Sequence, residues 1–324
     1  MGRGDLAKTQ EQTAKGESVK YHTPALLQEI IQFLDPKPDK RIIDATIGGG
    51  GHTFEILERG AKVLGIDSDP DAIEHVRNQF QISTRPRPSR DEVGNFKFQI
   101  GKGLILVRGN FNKIDEIARS KGFQQVDGIL FDLGVSSHQL EMPQRGFSFE
   151  KNGPLDMRTD PNLSISAYDL VNNFDQRRLN EILKTYGQEK LSWSIAGAIC
   201  SARQIKTIET TGELAQIVKE VYGRFRKKGK LNQATKTFQA LRIVVNSELL
   251  NLKEALPQTL DLLKTGGRLV IVSFHSLEDA IVKRFFKYEP KLKVLTPKPI
   301  GPKDLEIKAN PRSRSAKLRA AEKI

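Results

Sequence analysis

The sequence predicts an α/β fold built on a parallel sheet and interrupted by an inserted, mostly helical domain. Three observations support this prediction. Short apolar segments alternate with helical patterns up to residue 133, a glycine run follows the first of these strands, and the alternation stops between residues 140 and 243 before it resumes. The length of 324 residues fits roughly two domains, each able to bury a conventional core.

The first part of the chain predicts strand, helix, strand and helix in turn. A helix opens at Thr23-Pro24, with Thr as its cap and Pro at the first helical position. Strands are predicted over residues 41–45, 62–66, 104–107 and 126–133, and helices over residues 52–58, 72–80 and 112–120. The basic, proline-punctuated residues 82–102 predict a surface loop.

Helical patterns dominate from about residue 140 to residue 243. Helices are predicted over residues 175–186 and 190–205, and Thr210 opens another with capping-box spacing to Glu213. A long helical stretch near residues 235–263 precedes a strand over 268–274 and a helix over 276–287. We therefore predict a flexible extension (1–20), a discontinuous α/β domain (21–139 and 244–324) and an inserted helical domain (140–243).

Composition narrows the class of protein. The chain has 52 Lys+Arg against 39 Asp+Glu, and the net charge of +13 favours a polyanionic partner, nucleic acid first. The single Cys200 excludes a disulfide scaffold and suits a reducing cytosol. No apolar run of about 18 residues exists, and the polar N-terminus lacks a signal core, so we expect a cytoplasmic protein with no membrane partner.

Basic clusters reinforce the preference for nucleic acid. They are Arg85, Arg87 and Arg90; residues 223–230; and residues 308–324, which hold six basic side chains. Such clusters bind phosphates without reading base sequence. A solvated charged face is the commoner meaning of a lone basic run, so this alternative stays open.

A strand, a glycine loop and a helix follow one another at residues 42–58, and Asp67 ends the next strand. Glycines let a ligand lie against the backbone, and the helix N-terminus offers free amides. Asp67 lies 18 residues after Gly49, where a carboxylate can accept hydrogen bonds from ribose hydroxyls. These features predict a site for an adenosine-containing ligand, with a tight turn and a helix-capping Asp as the alternative.

The loop favours S-adenosylmethionine over a nicotinamide cofactor, although spacing alone leaves both open. A pyrophosphate fingerprint that begins at Gly48 would need a third glycine where Thr53 stands. Asp44, at the strand end before the loop, suits a cationic ligand better than a phosphate. Asp132 ends another strand at the same edge, where it is expected to contact the cofactor, to orient a target amino group or to cap the following turn.

The motifs converge on one family. The chain resembles the bacterial 16S ribosomal RNA cytosine-N4 methyltransferase H family, also called MraW or RsmH. The matching blocks are YHTPALL (21–27), DATIGGGGH (44–52), DGILFDLGVSSHQ (127–139) with RGFSF (145–149) and GPLDMR (153–158), SFHSLED (273–279) and NPRSRS (310–315). The blocks at 127–158 and 273–279 are long and not general to methyltransferases.

The resemblance implies a Rossmann-like methyltransferase domain with an inserted helical domain. It also implies S-adenosylmethionine as donor and a cytidine in the decoding (P-site) region of 16S rRNA, within the small (30S) subunit, as acceptor. The cofactor contacts that carry over from the family are Gly50, Gly51, His52, Asp67, Phe111, Asp132 and Gln139. The 82–102 segment is longer than the family pattern, and the oligomeric state, including a homodimer, stays open.

The proposed chemistry requires positioning rather than covalent catalysis. The N4 lone pair of cytosine is delocalised into the ring, so the protein must hold the amine in line with the methyl group. Asp132 is the candidate orienting group, and no residue spacing indicates a metal. Phe147 and Phe149, flanked by Arg145, are candidates to stack the flipped base, with core packing as an equal alternative. Further substrate-binding candidates are Arg312 and Arg314.

Other functions remain as alternatives. An amino-methyltransferase that acts on DNA or on a different RNA would share this chemistry, but the DNA enzymes usually carry an acid or Asn/Ser-Pro-Pro-aromatic element where this chain has Asp132-Leu133-Gly134-Val135. A nicotinamide oxidoreductase is disfavoured by the missing third glycine. A non-enzymatic RNA-binding protein is disfavoured by the intact glycine loop, Asp67 and Asp132.

Overall fold

One mixed sheet organises the α/β part of the molecule. The computed structural model describes residues 24–84, 103–225 and 232–324. Within these ranges the strands are β1 (Arg41–Asp44), β2 (Lys62–Asp67), β3 (Leu104–Arg108), β4 (Val126–Asp132), β5 (Leu263–Ser273), β6 (Leu292–Val294) and β7 (Lys317–Lys323). Their order is β3-β2-β1-β4-β5-β7-β6. The first five strands are parallel, whereas β7 runs antiparallel to both β5 and β6.

Helices cover the sheet and build a second unit. They are α1 (Leu27–Leu34), α2 (Gly51–Glu58), α3 (Pro70–Thr84), α4 (Ile114–Ser120), α5 (Ser137–Glu141), α6 (Ala167–Asn173), α7 (Gln176–Gly187), α8 (Ser192–Ile205), α9 (Thr211–Arg224), α10 (Thr235–Val245), α11 (Glu248–Leu262), α12 (Ser276–Tyr288) and α13 (Asp304–Ala309). No helix in the described ranges is long and apolar enough to cross a membrane.

The central strands are buried on both faces, as parallel strands between two helical layers must be. Successive side chains point to opposite faces, so Ile43 and Phe131 pack with α4 and α11, whereas Ile42 and Leu130 pack with α1 and α2. The chain reverses direction across the sheet between β1 and β4, so the loops after these two strands diverge and leave a crevice. The predicted Rossmann-like α/β fold is confirmed.

Helices α6 to α10 share a hydrophobic core of their own. Leu179, Leu183, Ile195, Leu214 and Leu241 are fully buried in it, and these residues belong to four of the five helices. Helix α6 contributes Leu170 and Val171. The exact domain boundaries, with residues 140–243 as the insertion, stay a prediction.

Two predicted helices differ in the structure. The first begins at Leu27 rather than at Pro24, because the Leu26 N–H donates to Glu306 Oε1 at 2.8 Å and Leu26 adopts a left-handed φ of 54°. The predicted cap, Thr23, lies outside the described residues. The long stretch predicted at 235–263 is two helices and the start of β5. The break falls at Ser247, which has a φ of 51°.

The C-terminal basic segment contains a strand that the sequence analysis missed. Strand β7 lies between β5 and β6, and Leu318, Ala320 and Ala321 are fully buried. Arg319 is only 6% exposed and pairs with Asp279. The view of residues 308–324 as one phosphate-binding surface is therefore wrong for the strand, because the four consecutive side chains of residues 318–321 are buried.

Candidate active site

A cavity of about 420 Å³ opens at the carboxyl edge of the sheet, where β1 and β4 diverge. It has the size of a small-molecule site, and its position is where open α/β sheets bind ligands. Seven of the predicted residues line it: Gly51, His52, Asp67, Phe111, Asp132, Gln139 and Arg312. The structure therefore brings most of the predicted cofactor residues together, although they are spread over nearly 90 residues of sequence.

The glycine loop is held by Asp67. Asp67 Oδ2 accepts a hydrogen bond from the Gly48 N–H, and Oδ1 accepts one from the Asp69 N–H, both at 2.9 Å. Burial raises the pKa of Asp67 to about 6. Each carboxylate oxygen keeps a further lone pair, so Asp67 can accept donors from a ligand while it fixes the loop.

Gly50 does not line the cavity, but its backbone shapes the loop that does. It has a φ of 80°, and a Cβ built there would lie 2.9 Å from both the Phe54 ring and Val76 Cγ2. Only glycine fits this conformation and this close approach. At Gly51 a Cβ would lie 2.8 Å from Pro24 Cγ.

Asp44 adds a second buried carboxyl beneath the loop. It accepts hydrogen bonds from Thr53 Oγ1 at 2.7 Å and from the Thr46 N–H at 3.2 Å. Burial raises the pKa of Asp44 to about 6. Because the charge of Asp44 also raises the pKa of Asp67, the site is suited to a cationic ligand.

Asp132 occupies the end of β4 with one unused oxygen. Its backbone N–H donates to Thr46 Oγ1 at 2.6 Å, which fixes the strand end against the loop. Oδ1 is buried and has no hydrogen-bond partner within the described part of the chain. Burial, together with the charges of Asp44 and Glu278, raises the pKa of Asp132 well above its usual range. A buried acceptor without a donor is the arrangement expected where a ligand supplies the hydrogen.

Phe111 and Gln139 form the far side of the cavity. Phe111 packs edge-to-face on Phe131, with ring centroids 5.6 Å apart. Gln139 accepts the Ser136 N–H at 3.0 Å and donates from Nε2 to Asp69 Oδ2 at 2.6 Å. Asp69 therefore links two predicted site residues, Gln139 and Asp67.

Another part of the lining comes from α10 and α11, helices that the sequence analysis left out of the site. Arg242 on α10 forms a two-pronged pair with Glu248 on α11, at 2.8 and 3.0 Å. Asn246 bridges to the loop by accepting the Thr159 N–H at 2.7 Å and donating to the Met157 carbonyl at 2.8 Å. A helical arginine has no local pattern that marks it as a cavity residue, so the sequence carried no signal for this wall.

His275 and Glu278 cap α12 at the edge of the cavity. Burial alone would raise the pKa of Glu278, but the hydrogen bond and charge of His275 and the charge of Arg242 outweigh it and lower that pKa. Potential ligand atoms of Glu248, His275 and Glu278 lie within 4.8 Å of one another. Arg242 already neutralises Glu248, and His275 faces Glu278, so protein groups account for both charges.

Three predicted substrate residues lie outside the cavity. Arg145 is paired with Asp69 and Asp71. Phe147 is only 6% exposed in the helical core, and Phe149 packs edge-to-face on Phe238 with centroids 5.1 Å apart. Their surroundings favour the packing alternative over base stacking.

Of the other basic residues predicted to bind nucleic acid, some lie on the surface and the rest lie outside the described residues. Arg312 lines the cavity, 3.3 Å from Glu141, and Arg314 is exposed beside it. Arg224 is exposed at the end of α9. The predictions for residues 1–20, for Arg85, Arg87 and Arg90, and for most of the 223–230 cluster lie outside the described residues.

Comparisons with known proteins find similarity over most of the chain. Residues 19–324 match the model of the MraW methylase family. A Thermomicrobium roseum protein named ribosomal RNA small subunit methyltransferase H is 45% identical over 324 residues, which cover 94% of this chain and 94% of that protein. A Persephonella marina protein of the same name is 44% identical over 308 residues, which cover 94% of this chain and 99% of that protein.

Proposed function

This chain belongs to the MraW methylase family, and we propose that it methylates ribosomal RNA of the small subunit with S-adenosylmethionine as donor. We further propose that the acceptor is the N4 amine of a cytidine in the decoding region of 16S rRNA. The relatives' names support the RNA, and the resemblance of the motif blocks supports the cytidine. The protein would act in the cytoplasm, on RNA assembled into the small subunit.

The observation that carries this proposal is the acidic cavity at the divergence of β1 and β4. Its glycine turn, two buried carboxyls beneath the turn and an unsatisfied Asp132 oxygen suit a cationic ligand that brings its own donors. Bound there, S-adenosylmethionine supplies a methyl group already activated by its sulfonium charge. Asp67 would hold the ribose, Phe111 would contact the adenine, and residues 48–52 would line the methionine portion.

Asp132 is the candidate that orients the target amine. Its buried Oδ1 can accept an N4–H hydrogen bond, which aligns the nitrogen lone pair for attack. The base must leave its stack to reach this depth. Phe274 and Arg242 line the same cavity and offer a ring and a side-chain donor to a flipped base.

The helical unit and the exposed arginines are the proposed contacts to the RNA. Residues 140–243 would recognise the folded substrate, because A-form RNA is read mainly through its shape and its phosphates. Arg312, at the cavity mouth, and Arg314, exposed beside it, would bind phosphates near the flipped nucleotide.

Methyl transfer to three acceptors tests the proposal. Labelled S-adenosylmethionine is incubated with the protein and assembled small subunits, naked 16S RNA or duplex DNA, and product nucleosides are identified by mass spectrometry. We expect N4-methylcytidine from the small subunit. Label in DNA, or at another RNA atom, would overturn the acceptor assignment. Absence of label in all three, despite cofactor binding, would overturn the enzymatic function.

A further inference from the structure

His52 lies between a main-chain carbonyl and Asp132. Its Nε2 is 3.1 Å from the Ala25 carbonyl oxygen, and its Nδ1 is 3.6 Å from Asp132 Oδ2. A carbonyl only accepts hydrogen bonds, so Nε2 carries the ring hydrogen and the basic nitrogen of the neutral ring is Nδ1. His52 thus presents a proton acceptor to Oδ2 of a cavity-lining carboxyl whose other oxygen, Oδ1, is buried without a hydrogen-bond partner in the described part of the chain.

We propose that His52 is a positioning residue that relays the proton lost by the target amine: Asp132 Oδ1 takes that proton while Oδ2 passes one to His52 Nδ1. This inference rests on the proposed function, because it needs an amine acceptor. It assigns His52 a role beyond contact with the cofactor.

The step balances as follows. The N4 lone pair forms the new nitrogen–carbon bond as the methyl–sulfur bond of the sulfonium donor breaks, and the bonding electrons stay on sulfur. The nitrogen, now positively charged, gives one N4–H proton to Asp132 Oδ1. The Oδ2 proton moves to His52 Nδ1, so the positive charge that leaves the donor ends on the imidazole and is later released to water.

The surroundings of Asp132 explain why a relay is useful. The charged groups that face it are Asp44 on β1, His52 on α2 and Glu278 on α12, and Arg242 on α10 is held by Glu248. Burial and the two carboxylates favour the protonated form of Asp132, and a protonated carboxyl cannot accept another proton unless it passes the first one on. His52 is the described group that faces Asp132 with a basic nitrogen. The 3.6 Å separation is longer than a hydrogen bond, but such pairs commonly tighten when substrate binds.

The burial of His52 supports an ordered role. The residue is 6% exposed, in the first turn of α2, and its ring is fixed at Nε2 by Ala25. The hydrogen bond at Nε2 holds Nδ1 on the side of Asp132 Oδ2.

The test uses His52→Gln, because the glutamine amide can still donate to the Ala25 carbonyl but has no basic nitrogen. Single-turnover methyl transfer to the small subunit is measured from about pH 5 to pH 9, alongside cofactor affinity by calorimetry. Because His52 also lines the proposed cofactor site, rates are compared at saturating S-adenosylmethionine, where we expect a maximal rate at least about tenfold lower than that of the wild type. The acid limb of the pH–rate profile should move to higher pH in this variant, because methyl transfer without His52 requires an ionised Asp132. His75→Gln, the same change outside the cavity, should keep the wild-type pH profile.

An unchanged acid limb in His52→Gln, with a rate loss that only follows weaker cofactor binding, would overturn the relay. Failure of the wild-type enzyme to methylate any acceptor would instead overturn the proposed function.

A second measurement needs no acceptor. The chain has five histidines, so nitrogen NMR of the free protein can follow the His52 ring. The His52 Nδ1 resonance of the wild type should show an inflection where Asp132 ionises, and Asp132→Asn should remove that inflection. Identical titration curves of His52 in the two proteins would also overturn the proposal.

Discussion

Arg145 and Asp69 form a two-pronged ion pair that ties the start of the helical part to the cofactor side of the sheet. Nη1 donates to Asp69 Oδ1 at 3.1 Å, and Nη2 lies 3.0 Å from Oδ2. Nη2 also donates to the Arg158 and Thr159 carbonyls. Because the Asp69 N–H donates to Asp67, this pair positions the carboxylate proposed to hold the ribose.

Replacing Arg145 should therefore weaken both stability and cofactor binding. Arg145→Met leaves the buried Asp69 carboxylate without its cation, and we expect a loss of about 3 kcal/mol in the free energy of unfolding. Urea denaturation and calorimetry with S-adenosylmethionine measure the two effects. Arg119→Met, which breaks an exposed pair within α4, is the control and should leave stability unchanged. Equal stability of the Arg145 and Arg119 variants would show that the Arg145–Asp69 pair does not stabilise the fold.

Gly50→Ala should damage the cofactor loop through crowding as well as backbone strain. The new Cβ would lie 2.9 Å from Phe54 and Val76, and we expect about 2–4 kcal/mol of destabilisation with weaker cofactor binding. Gly266→Ala is a matched control, because Gly266 has a φ of 79° but a Cβ added there would meet no atom within 4 Å. It should cost about 1 kcal/mol. Similar losses in the two variants would mean that the contacts with Phe54 and Val76 are unimportant.

Arg319 and Arg314, five positions apart, should behave oppositely. Arg319→Met removes the buried pair with Asp279, and we expect about 2 kcal/mol of lost stability with an unchanged salt dependence of RNA binding. Arg314→Met should leave stability intact and reduce the slope of log affinity against log salt by about one. Binding titrations at several salt concentrations, with thermal melts, distinguish the two. A reversed pattern would contradict the assignment of Arg319 to the sheet.

Stability of the ligand-free protein should fall as pH rises from about 4 to 6. Burial raises the pKa of Asp44 and Asp67 from the ordinary 3.8 to about 6, so in this window the folded protein holds protons that the unfolded chain has released. Each carboxyl contributes at most about 3 kcal/mol to this fall, and nothing more above its folded pKa. Asp67→Asn should reduce the fall in the free energy of unfolding by the contribution of Asp67. Denaturation at a series of pH values measures this. An identical slope in both proteins would exclude Asp67 as a source.

Affinity for S-adenosylmethionine should rise over the same interval. The carboxyls attract a cation only when ionised, so binding should strengthen as pH increases through about 6 and then level off. Calorimetry in buffers of different ionisation enthalpy would detect the accompanying proton release. Adenosine, which carries no charge, serves as the control and should show a weaker pH dependence. An equal pH dependence of affinity for both ligands would mean that the carboxyls act on the ribose and not on the positive charge of S-adenosylmethionine.

The local features of the fold were predictable from the sequence because they depend on neighbouring residues. Alternating apolar segments gave the first five strands, and Gly50 with Asp67 marked the loop and its acidic partner. Strand β7 was missed, since its basic residues hide the alternation of Leu318 and Ala320 with polar positions. The break at Ser247 was also missed, because it depends on Asn246 reaching the loop that contains Met157 and Thr159.

By itself, the sequence determined the alternation of strands and helices up to residue 133, the glycine turn, the acids at the strand ends and the family blocks. Only the tertiary structure decided which of these groups meet. The pairing of Arg145 with Asp69, the Arg242–Glu248 wall and the approach of His52 to Asp132 join residues far apart in the chain. Spacing along a chain encodes faces and turns, whereas such contacts follow from how the sheet and the inserted helices pack, and no local pattern records that packing.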